Sequence, residues 1–79
     1  MMTRMMTKIL SNAIEASEQG LDGYAIQHAH YEKYRGMKKI VDRLVVSGMV
    51  EKRAGDAGQF YLVPTAQALA LMQNQQQAA

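Results

Sequence analysis

The hydrophobic period of this chain changes at Gly48. Upstream, in RGMKKIVDRLVVSG (35–48), Met37, Ile40, Val41, Leu44 and Gly48 fall within one arc when each residue advances by about 100°. Downstream, Met49 to Arg53 and Phe60 to Val63 are short runs rich in β-branched and aromatic residues, separated by AGDAGQ. A helix closed by glycine and followed at once by a hairpin leaves few ways to build a small core. Gly55 and Gly58 can supply the positive φ that the hairpin loop needs.

The rest of the chain adds helices around that unit. Met5, Met6, Ile9, Leu10, Ala13 and Ile14 recur at helical spacing, which predicts an amphipathic helix over residues 4–18, capped by Thr3 and ended by Gly20. Asp22 is placed to cap a second helix of about two turns that carries Ala25, Ile26 and Ala29 inward. Pro64 stops the second strand, and Thr65 can cap a last helix containing Ala66, Leu69, Ala70, Leu71 and Met72. A short strand near Gly20 to Asp22 would add a third member to the sheet. The expected architecture is mainly α with a small β-hairpin (α+β): three helices, a two-stranded wing and a C-terminal helix, the winged helix-turn-helix arrangement. A single domain is expected over residues 1–73, with 74–79 a disordered polar tail.

Charge is distributed unevenly. The net charge is only +2, but the segment from Lys33 to Arg53 holds seven of the nine basic residues against Asp42 and Glu51. Arg35, Lys39 and Arg43 form an i, i+4, i+8 series on the third helix, opposite its apolar arc, with Lys38 beside them. Each like-charge pair of this kind costs an isolated helix a few tenths of a kcal/mol, roughly. Asp42 can offset Lys38, but no acid is spaced to neutralise the other three. A face built only for solubility would alternate its signs. A polyanionic partner explains the repulsion, because phosphates convert it into attraction and counterion release. The competing explanation is a solvated helix face that is basic without consequence.

The run LVVSGMVEKR (44–53) resembles the end of the recognition helix and the first wing strand in bacterial winged-helix regulators of the MarR and related superfamilies. There, Leu44, Gly48, Met49 and Val50 match structural positions, and Glu51 to Arg53 match the start of the wing. Val63-Pro64-Thr65 before an apolar helix is similar to the step that follows the wing. The resemblance implies that Tyr34, Arg35, Lys38 and Lys39 meet the major groove of DNA, and that Asp56 to Gln59 form the wing. Lys33, Arg43, Lys52 and Arg53 would mainly serve phosphates, with Tyr34 and Gln59 as polar contacts. The wing is short and lacks the aspartate-x-arginine of full MarR proteins, and their long terminal helices have no counterpart. A minimal DNA-binding module, a small transcriptional regulator, is therefore expected rather than an effector-sensing repressor. A winged-helix protein-interaction module and a DNA-binding accessory of plasmid or phage replication are the alternatives.

Other chemistry finds little footing. His28 and His30 point about 200° apart on a helix and have no cysteine and no acid but Glu32 nearby, so no metal or cofactor is expected. Ser11, Ser17 and Ser47 have no histidine–acid partner at helix spacing, and no glycine run makes a phosphate loop, so an enzyme is not expected. The methionines Met5, Met6, Met37, Met49 and Met72 sit at core-spaced positions. Val46 points outward and the last helix is more apolar than one stripe requires, which suggests a homodimer through the first and last helices. With no apolar run long enough to span a bilayer, no signal-peptide core and no cysteine, a cytoplasmic protein is expected.

Overall fold

The computed structural model describes the backbone of residues 3–78 and the side chains of residues 3–72. Its elements are α1 (Arg4–Glu18), β1 (Tyr24–Gln27), α2 (His28–Lys33), α3 (Arg35–Val46), β2 (Val50–Ala54), β3 (Gln59–Pro64) and α4 (Ala66–Ala78). The result is an α+β domain with four helices and one antiparallel sheet of order β1-β3-β2, and its hairpin after α3 follows a winged-helix-like order. The tail expected over 74–79 falls where side chains lie outside the described residues, although the backbone of α4 extends to Ala78.

Helix ends are set by local chemistry that the sequence announces. The Thr3 side chain accepts from the Met6 amide at 3.2 Å, satisfying one of the first-turn donors. At the other end Gly20 takes φ +78°, and the Gly20 and Leu21 amides return to the Ser17 and Ala16 carbonyls. This paired return is the Schellman closure, which needs a left-handed residue after the helix. α3 ends in the same way: Gly48 has φ +80°, with Gly48 and Met49 amides bonded to Val45 and Leu44 carbonyls. Thr65 caps α4 by accepting from the Ala68 amide at 3.2 Å while its hydroxyl donates to the Gly48 carbonyl at 2.5 Å. One side chain thus joins the end of α3 to the start of α4.

The second element differs from the expectation. Residues 24–27 form a strand, not the first turn of a helix, and α2 has its cap position at Gln27, without a side-chain capping bond, rather than at Asp22. Tyr24 to Gln27 pair with Leu62 to Gln59, so the sheet has three strands and the hairpin is not a free two-stranded wing. The strand begins two residues later than the Gly20–Asp22 segment. Ile26 is buried as expected, whereas Ala25 and Ala29 are exposed. Gly23 makes the crossing possible: its φ is +154°, and a Cβ there would lie 2.8 Å from Tyr61 Cβ and 3.0 Å from the Leu62 carbonyl. Helix α2 is only His28–Lys33 and meets α3 through the single extended residue Tyr34.

The core lies between the inner face of the sheet and the helices. Phe60 and Leu62 of β3, Val50 of β2 and Ile26 of β1 face Leu10 of α1 and Val41 and Leu44 of α3. Met6 is buried, and Met37 and Met49 pack against this cluster, but Met5 is 47% exposed and belongs to the surface. Ala16 and Ala68 are buried instead, small residues where elements approach closely. The hairpin loop turns through positive φ at Ala57 (+56°) and Gly58, not at Gly55. Gly55 is held by space, since a Cβ there would come within 2.8 Å of the Gln59 carbonyl and the Tyr61 ring.

Candidate nucleic-acid interface

The basic face of α3 is open. Arg35, Lys38, Lys39 and Arg43 are all exposed, and Val41 and Leu44 on the opposite side are fully buried. Among the described residues the one ion pair is Arg53–Glu51 at 3.2 Å. None of the four α3 cations is neutralised by a native acid. Asp42 does not pair with Lys38: its Oδ1 accepts from the Tyr31 hydroxyl at 2.5 Å. That hydrogen bond, followed by burial and the charge of Asp42, pushes the Tyr31 phenol up to about 12 from 10.0.

Tyr31 is the organising residue that sequence reading missed. It is the buried residue of α2, its ring meets Phe60 edge-on at 5.3 Å, and its hydroxyl reaches α3. Lys38 Nζ lies 5.9 Å and Lys52 Nζ 4.7 Å from the centre of the same ring. Lys52 is also 4.7 Å from the centre of Phe60. The register explains this. Lys52 pairs with Leu62 and so sits on the helix-facing side of the sheet, where its stem follows the apolar edge and its ammonium reaches water.

The hairpin divides the remaining expected residues. Arg53 pairs with Tyr61, which places it on the outer face of the sheet, away from α3. There it bonds Glu51 and borders a shallow depression shared with Asp22 and Asp56. Gln59 donates to the Tyr61 hydroxyl at 3.3 Å on that same outer side. Lys33 lies at the end of α2 with its ammonium 5.7 Å from the Tyr34 ring, and Tyr34 is half-exposed at the start of α3, stacked obliquely on His30 at 4.6 Å. The structure therefore gathers Lys33, Tyr34, Arg35, Lys38, Lys39, Arg43 and Lys52 around α3 and sets Arg53 and Gln59 apart. The hairpin tip is also tied down, since the His28 amide donates to the Gly58 carbonyl at 2.9 Å.

His28 and His30 are exposed on α2, His28 against Phe60 at 5.0 Å, and among the described residues no three acidic or histidine side chains gather as a metal site. No described helix is long and apolar enough to cross a membrane. Comparison with protein families, with characterised proteins and with solved structures finds no match to this chain.

Proposed function

We propose that this chain is a winged helix-turn-helix protein that binds double-stranded DNA sequence-specifically, with α3 in the major groove and the hairpin beside the neighbouring backbone, as a small transcriptional regulator. The observation that carries the reading is the uncompensated face of α3: four exposed cations within three turns, without an acidic partner among the described residues. Like charges held at helical spacing destabilise the helix unless a polyanion meets them. Arg35, Lys38 and Lys39 lie in its N-terminal half, the part of a recognition helix that reaches base edges, where arginine or lysine commonly contacts guanine. The one-residue junction at Tyr34 is shorter than the three or four residues of most such motifs.

A homodimer built on α1 and α4 would present two such helices to a palindromic site. Met5 of α1 and Leu71 of α4 are exposed apolar groups that this pairing would cover. A monomer by sedimentation at tens of micromolar, both free and on DNA, would remove the dimer from the reading.

A second reading, a module that docks an acidic protein, draws on Val46. It is 87% exposed and borders an apolar depression with Lys39, Asp42, Arg43 and Ser47. Selection of bound sequences from a random duplex pool at two salt concentrations separates the two. Enrichment of a defined motif, lost progressively as salt rises, supports DNA recognition; recovery of unenriched sequence at both concentrations refutes it.

A further inference from the structure

Two lysines from different elements share one aromatic ring. Lys38 comes from α3 and Lys52 from β2, 14 positions on in the sequence, yet both ammonium groups lie within 6 Å of the Tyr31 ring centre. Two cations drawn to one ring repel each other, and free lysine stems would drift apart to regain rotamer entropy. The negative π surface of the ring attracts each of them, so both stems are drawn to one side chain. Phe60 gives Lys52 a second face to rest on.

The only acid on α3 is kept from them. Asp42 follows Lys38 by four residues, a spacing at which helical ion pairs form. That pair is absent among the described residues, and Asp42 Oδ1 is engaged by the Tyr31 hydroxyl instead.

We propose that Lys38 and Lys52 form one phosphate-binding site at the junction of α3 and the hairpin, and that Tyr31 is its positioning residue, drawing the two ammonium groups to its ring and anchoring Asp42 with its hydroxyl so that the carboxylate closes no ion pair with Lys38. The identity of the phosphate as DNA backbone rests on the reading above; the site itself rests on the geometry around Tyr31. In a duplex complex this junction would fix the hairpin to the strand that α3 flanks. Preordered lysines lose less freedom on binding than solvated ones, so they grip more tightly for the same charge.

The test uses the full chain with two probes, inorganic pyrophosphate and a random-sequence duplex. The ε-methylene NMR signals of Lys38 and Lys52 are followed at low salt, with Lys8 of α1 as the distant control. Both lysines are expected to shift together with a single Kd, and Lys52→Gln to weaken the response of Lys38. Tyr31→Phe keeps the ring but frees Asp42, and is expected to weaken both probes about twofold, the size of one helical i,i+4 ion pair. Adding Asp42→Asn to that variant should restore the affinity, and should raise it by more than Asp42→Asn does in the otherwise unchanged protein, where the anchored carboxylate acts only through its charge. Independent Kd values for the two lysines, or a Tyr31→Phe loss that Asp42→Asn does not reverse, would overturn the site. Coupled pyrophosphate binding without any duplex binding would leave the site standing and sink the DNA reading. Duplex binding with additive Lys38→Gln and Lys52→Gln losses and no lysine response to pyrophosphate would do the reverse.

Discussion

The Tyr31 hydroxyl donates to Asp42 Oδ1 at 2.5 Å, joining the single buried side chain of α2 to the exposed face of α3. The donor must keep its proton for the bond to exist. Its folded-state value of about 12 lies above the ordinary 10.0, so the stabilisation is complete below pH 10 and disappears as pH climbs toward 12. Thermal unfolding between pH 8 and 12 should show wild type losing stability over this window by more than Tyr31→Phe does. Parallel curves for the two proteins would mean that the bond contributes nothing to folding.

Arg35→Ala and Lys39→Ala separate binding from stability. Both side chains are exposed on α3 and have no ion-pair partner among the described residues. Each substitution should weaken duplex binding and lower the salt slope by about one, with stability changed by no more than about 0.5 kcal/mol. Duplex titration and a melting curve on the same samples check both halves. A variant that fails to fold would show that this face is structural.

Leu44→Ala should do the opposite. Leu44 is fully buried beneath the same helix, between the sheet and α1. Truncation leaves a cavity and should cost about 2–5 kcal/mol in urea unfolding. Any DNA affinity lost should return under conditions that restore the folded population.

Two glycines give a paired backbone test. Gly23→Ala would drive a methyl into Tyr61 and the Leu62 carbonyl at a φ that L residues avoid, and should cost about 1–3 kcal/mol. Gly36→Ala meets open space on α3 and should be neutral or stabilising by up to about 1 kcal/mol. Equal effects in denaturant titration would contradict the path assigned to the chain into β1.

Much of this architecture is legible in the sequence where the signal is local. Thr3, Gly20, Gly48 and Thr65 mark helix ends through hydrogen bonds that close within a few residues, and α1, α3 and the hairpin fall within a residue or two of their expected bounds. β1 is illegible for the opposite reason. Only Ile26 of its four residues is buried, and its hydrogen bonds go to β3 more than 30 positions away. Of the site, the four cations of α3 could be read from helical spacing. The side of the sheet taken by Lys52 and Arg53 depends on register: Lys52 opposite Leu62 turns to the helices, and Arg53 opposite Tyr61 turns away. Tyr31 gave one signal that could have been used, an aromatic directly after His30 on a short helix, but its bond to Asp42 spans 11 residues and two elements.

The most direct measurement is duplex affinity as a function of salt. If Arg35, Lys39 and Arg43 each meet a phosphate and Lys38 and Lys52 share a fourth, a plot of log K against log salt should be linear with a slope of about −3 to −4, since each neutralised phosphate contributes about −0.9. A slope near zero, or no duplex binding at low salt, would contradict the claim that this face exists to receive nucleic acid.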